Sequence, residues 1–124
     1  MLENKESFRA ELIKNSLPMA NNDGCIFHDI ETSILVGYAA YKLGKRSIWM
    51  PQLLVHNGFR GQGVGSDLIN HVISRGQSLG KLFIDTIVHE EAGLGWLKRH
   101  QFNALHSESG YFGDRDGIYF RRMF

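Results

Sequence analysis

Four glycines, Gly58, Gly61, Gly63 and Gly65, fall within eight residues, and the run behind them spaces Val64, Leu68 and Val72 as one face of a helix. Glycines at this density let backbone amides come close to an anion, and a loop that opens directly into a helix adds the positive end of the helix dipole. The chemistry this predicts is a phosphate cradle; a glycine-rich turn without a ligand is the alternative. Two named phosphate loops do not fit the letters. A Walker loop closes on Gly-Lys-Ser/Thr, whereas Gly65 is followed by Ser66 with no lysine. A dinucleotide fingerprint follows the first strand of a fold, whereas Gly61, Gly63 and Gly65 come after several strand-like runs. His28, His56, His71, His100 and His106 show no i, i+4 pair and no cysteine partner, so no metal site is expected. Cys25, the single cysteine, reads as a small buried apolar residue and not as an acyl-carrying nucleophile.

The elements that must position this loop can be read from periodicity. Residues 2–17 place Phe8, Leu12, Ile13 and Leu17 on one helical face, with Glu3 and Glu6 early and Lys14 late, which predicts a helix ended by Pro18 and the Asn21 to Gly24 cluster. Three strand-like runs follow, Cys25 to Ile30, Ile34 to Lys42 and Ile48 to Val55, joined by turns short enough for antiparallel hairpins. Behind the loop come an amphipathic helix from Val64 to Leu79 with Gly80 as its cap, an apolar strand from Leu82 to Val88, and a helix from Glu90 to His100 with acids first and bases last. Asn103 to Glu108 and Ile118 to Phe124 form a closing hairpin. A strand, helix, strand crossover is right-handed, so the class is α/β (α+β) with a mixed, mostly antiparallel sheet and helices on both faces. In the second helix Ala92, Trp96 and His100 share a face, and Trp96 reads as core packing.

Composition bounds what this fold can do. The 124 residues suit one domain, 1–124, and 14 Lys plus Arg against 13 Asp plus Glu leave a formal charge of +1. Without a basic block, nucleic acid is not an expected partner. The apolar runs are far shorter than the ~18 to 20 residues that span a bilayer, so no membrane partner is expected either. A lone cysteine and a charged start, MLENKESFR, point to the cytoplasm.

The string Leu54-Val55-His56-Asn57-Gly58-Phe59-Arg60-Gly61-Gln62-Gly63-Val64-Gly65-Ser66 resembles the pyrophosphate loop of the GNAT superfamily of acyl-CoA-dependent N-acetyltransferases, which reads Arg/Gln-x-x-Gly-x-Gly/Ala after a strand. Arg60, Gly63 and Gly65 stand at the defining positions, and the order of elements over about residues 24–124 follows that fold. The resemblance implies acetyl-CoA as cosubstrate, with no metal. It implies that amides from Gly61 through Gln62, Gly63, Val64 and Gly65, with Ser66, hold the pyrophosphate and that Arg60 adds a charge. Leu53, Leu54 and Val55 would splay from the following strand and pair with the pantetheine arm, and a main-chain amide there would polarise the thioester carbonyl, a large catalytic contribution.

The chain departs from the family pattern at Glu90, Leu97 and Gln101, where members often carry Asn, a proton-donating Tyr and Gly. Nor do Trp49, Met50 and Pro51 offer the acid or imidazole often found ahead of the loop. An amine acceptor with a pKa of about 10 must still lose a proton. Asp85, a carboxylate in an apolar strand, is the first candidate base, followed by His89 and Glu91; Tyr111 is the candidate acid. Glu108, Asp114 and Asp116 near Tyr111 would favour a cationic acceptor, a small molecule or a peptide amine. The family's first strand is expected to be absent, which would leave an edge for a second copy and hence a homodimer. An acyl-CoA-binding sensor without catalysis, and a nucleotide-phosphate binder, are the rival readings.

Overall fold

Valine, isoleucine and aromatic runs punctuated by Gly, Asp and Ser build a sheet, and the computed structural model describes it over residues 10–14, 23–29, 35–61, 63–89 and 94–124. The strands are β1 (Ala10–Lys14), β2 (Asp23–Asp29), β3 (Leu35–Leu43), β4 (Ser47–Val55), β5 (Phe83–His89), β6 (Asn103–Glu108) and β7 (Gly117–Met123). Helix α1 (Val64–Ser78) joins β4 to β5, and α2 (Leu94–Arg99) lies between β5 and β6. The seven strands run in the order β1-β2-β3-β4-β5-β7-β6, antiparallel except for the β4–β5 pair. None of the described helices is long and apolar enough to cross a membrane.

The expected mixed, mostly antiparallel sheet is present, but two details differ. The segment read as a helix over 2–17 contains strand β1, which pairs with β2 from Ala10 opposite Asp29 to Lys14 opposite Cys25; the rest of that segment lies outside the described residues. The first strand is therefore not missing: it pairs with the β2 edge that was expected to be open, and β1 itself is the outermost strand on that side. Helix propensity is a weak local preference, and an available strand edge overrides it. Both described helices also lie on one face. The crossovers β4 to β5 and β5 to β6 advance the same way along the sheet, so right-handed connections carry both helices to the same side.

That side holds the core: Val64, Leu68, Ile69 and Val72 of α1, Leu97 of α2, and Ile48, Met50, Ile84, Phe102 and Phe120 pack in one cluster, each at most 2% exposed. Gly76 brings α1 close to the sheet, since a Cβ there would stand 2.5 Å from Phe124 and 2.9 Å from Ile48. The helix ends as Gly80 predicts: at φ +71° its N–H donates to Gln77 O (3.1 Å) while Lys81 N–H donates to Gly76 O (2.9 Å), the paired bonds of a Schellman cap. On the other face, Tyr119 of β7 stacks between Trp49 of β4 (5.8 Å) and His106 of β6 (4.6 Å).

Candidate functional site

Strands β4 and β5 touch only from Ser47 opposite Phe83 to Met50 opposite Thr86, although both run on for several residues. The next residue, Pro51, has no N–H to give a ladder. Against β3 the register passes from Lys42 opposite Trp49 to Ala40 opposite Gln52, which leaves one extra residue in β4. Such a bulge bends its strand and re-aims its side chains. Ile48 and Met50 before it are buried, and Leu53 and Val55 beyond it pack against the same core. The last tie between the two strands is the buried Thr86 hydroxyl, which donates to Met50 O at 2.6 Å. Past it they diverge, and a cavity of about 840 Å³ opens between residues 51–55 and residues 86–89.

The glycine loop closes one end of this cavity. His56 N–H donates to Val36 O (2.6 Å), a 3-10 turn covers Asn57–Phe59, and Arg60 Nε donates to Val55 O at 3.3 Å, which ties the loop to the strand it leaves. Gly61 and Gly63 take φ of +77° and +82°, a left-handed backbone that a side chain resists. Gly63 is the N-cap of α1 and has no side chain to cap it. The first bond of the helix is Asp67 N–H to Gly63 O at 2.9 Å, so the amides of Val64, Gly65 and Ser66 stand outside the helix ladder at its positive end. Gly63, Val64, Gly65, Ser66, Gly61 and Arg60 all line the cavity. Gln62 lies outside the described residues.

Helix α2 forms the facing wall. Trp96 packs against the core cluster, as its spacing predicted, but it is only partly buried and also lines the cavity. Its ring lies 3.3 Å from where a Gly65 Cβ would be, and glycine there lets α2 approach the start of α1. The His100 ring sits 4.8 Å from Trp96, and its Nε2 is 3.0 Å from Ser66 Oγ. Burial first, then the charges of Arg99 and Arg122, hold His100 below the ordinary histidine pKa. The folded state therefore resists protonation of His100 more than the unfolded chain does, and this contribution to stability is lost as pH falls from about 6.5 through the lower folded value. His100→Gln, which can still bond Ser66, is expected to flatten that decline, measured as urea midpoints of both proteins between pH 7.5 and 5.

Of the candidate acid or base residues that the structure describes, Asp85, His89 and Tyr111, only His89 lines the cavity. It ends β5, with Nε2 3.3 Å from Arg115 Nη1 and its ring edge-on to Phe112 at 5.9 Å. Asp85 does not line it: Arg121 holds both carboxylate oxygens, Nε to Oδ1 at 2.7 Å and Nη2 to Oδ2 at 2.9 Å, and lies 3.9 Å over the Phe83 ring. The pair is partly buried, at 22% exposure for Asp85 and 35% for Arg121, and it reads as a cross-strand tie between β5 and β7. Asp85→Asn is expected to lower stability by roughly 1 kcal/mol, seen as a shift in the urea midpoint. Tyr111 is exposed and packs edge-on against Phe112, which does reach the cavity. Glu91 lies outside the described residues. Sequence reasoning singled out neither Arg99, which lines the cavity, nor Tyr119, whose hydroxyl desolvation, Tyr111, Glu108 and Asp85 together hold above the ordinary phenol value. Arg99 carried one signal, its place at the basic end of an expected helix beside the loop. Among the described residues no three His, Cys, Asp or Glu side chains gather as a metal site would need.

Comparison with known proteins matches residues 3–102 to the family described as the acetyltransferase (GNAT) family. No curated protein matches the chain. Among solved structures it is similar to nourseothricin acetyltransferase, with a TM-score of 0.76 at 14% identity over 86% of this chain and 68% of that one. It is similar to a GNAT family acetyltransferase from Elizabethkingia anophelis with acetyl-CoA bound, at TM-score 0.75 and 12% identity over 97% of this chain and 100% of that one. It is also similar to the ribosomal-protein-S18-alanine N-acetyltransferase from Escherichia coli, at TM-score 0.74 and 14% identity over 89% and 80% of the two chains. At these identities the likeness is one of fold.

Proposed function

The chain belongs to the acetyltransferase (GNAT) family, and from that premise we propose that it transfers an acetyl group from acetyl-CoA to a primary amine, within a ternary complex and with residues 1–124 acting as one domain. The observation that carries the reading is the slot between β4 and β5, which ends at the uncapped start of α1. Three tests of fit favour a pyrophosphate at that end. The amides of Val64, Gly65 and Ser66 are outside the helix ladder, the cap residue Gly63 offers no competing acceptor, and the described cavity lining contains Arg60 and Arg99 but no carboxylate. The slot itself suits a long, narrow arm, because Pro51 and the bulge leave residues 51–55 of β4 unpaired toward β5.

Acetyl-CoA supplies an activated acyl group as a thioester. The amine nitrogen bonds to the acyl carbon, the carbon–sulfur bond breaks, and the thiolate takes up a proton. The chain's part is to hold the arm along residues 53–55, aim a main-chain amide of β4 at the developing oxyanion, and receive the proton of the incoming ammonium. His89 is the group in the lining suited to that last task, directly or through a water. His89→Ala is expected to lower kcat by roughly 100-fold with the KM for acetyl-CoA within a few-fold of wild type, read by thiol release from acetyl-CoA in the presence of an amine panel. An unchanged kcat would remove His89 from the chemistry.

One observation favours a second reading. Leu97, which stands where the resemblance places a tyrosine, is apolar, 2% exposed and part of the core. A non-catalytic acyl-CoA-binding module would have this feature. Such a module binds acetyl-CoA and releases no thiol with any amine, so the same assay separates the two.

A further inference from the structure

The end of α2 lines the same cavity as the glycine loop. His100 and Trp96 fasten that end to the start of α1 at Ser66 and Gly65. Arg99, the residue before His100, is thereby held in the cavity lining beside Trp96 and Leu97. Its guanidinium runs back along α2, with Nη1 3.7 Å from the point where a Gly95 Cβ would stand.

Charge bookkeeping decides what Arg99 is for. The loop amides and Arg60 suffice for a pyrophosphate, whose charges are spread over two groups. Coenzyme A carries a third phosphate, a monoester on its ribose, with a charge near −1.5 to −2 at neutral pH. A phosphomonoester is the group a planar guanidinium holds best, through two parallel hydrogen bonds. We propose that Arg99 binds the ribose phosphomonoester of the acyl donor, and that it makes the site select coenzyme A esters over their dephospho forms. The proposal rests on the acyl-CoA reading above.

The test is calorimetric titration of acetyl-CoA and of acetyl-3′-dephospho-CoA into the wild-type protein and the Arg99→Gln and Arg99→Lys variants. Arg99 is exposed, so both variants are expected to fold. Wild type should bind acetyl-CoA roughly 10- to 100-fold more tightly than the dephospho form. Arg99→Gln should lose that same factor for acetyl-CoA and leave the dephospho form within about two-fold of wild type, so that the two ligands converge; Arg99→Lys should fall between. Equal losses for both ligands, or no loss for either, would overturn the role of Arg99 and leave the acyl-CoA reading standing. Wild type that binds neither ligand would overturn both.

Discussion

Gly63→Glu is expected to weaken acetyl-CoA binding by on the order of 1000-fold while the protein remains folded. The glutamate would put a carboxylate at the N-cap of α1, against the amides of Val64, Gly65 and Ser66. Two like charges about 4 Å apart repel by roughly 4 kcal/mol at an effective dielectric near 20, which alone accounts for such a factor. The side chain could also accept from those amides and occupy the place of the phosphate. Backbone strain adds a smaller effect, because φ at Gly63 is +82° and a residue with a Cβ pays about 1 to 2 kcal/mol there. Gly63→Asn separates the two causes, since asparagine tolerates the left-handed region and carries no charge. It should lose roughly ten-fold, through its own capping bond. Calorimetry gives both affinities, and thermal melts check that both variants fold. Unchanged affinity in Gly63→Glu would mean that the cradle lies elsewhere.

Phe120→Ala is the second large effect, and it acts on the frame. Phe120 is 1% exposed at the centre of β7, in the cluster that also holds Leu97, Phe102 and Ile84. Removing a buried phenyl ring costs about 3 to 5 kcal/mol, from lost transfer energy and the cavity left behind. A domain of this kind has only about 5 to 15 kcal/mol of stability in total. The variant should therefore unfold at much lower urea than wild type and be partly unfolded near body temperature. A shift below about 1 kcal/mol would show that β7 is not part of the core that fixes β5. Because β5 pairs with β7 along its whole length, the open slot between β4 and β5 depends on that pairing.

What could be read from the letters was local. The glycine loop, α1 with its Gly80 cap, and the strands flanking them follow from periodicity and from residues with restricted or permissive backbones. What was misread depends on contacts between distant segments. Leu12 and Ile13 satisfy a helical spacing, yet the edge of β2 was free to pair with them. Asp85 stands out as a carboxylate in an apolar strand because its partner, Arg121, lies 36 residues away on β7. Trp96 shares a helical face with His100 and packs against the core as expected, but the letters do not show that the same face also meets the start of α1 and the cavity. In the letters Pro51 is only a position without an acid; in three dimensions it and the bulge beside it stand where β4 parts from β5.

The slot and its cradle, as proposed, form a site for an acyl-CoA donor. The most direct measurement is calorimetric titration of acetyl-CoA into the wild-type protein, with ATP and NAD as controls. One acetyl-CoA is expected per chain, with a dissociation constant between about 1 μM and 1 mM, and no comparable binding of ATP or NAD. Failure to bind any CoA ester, or ATP binding as tightly at the same site, would contradict it.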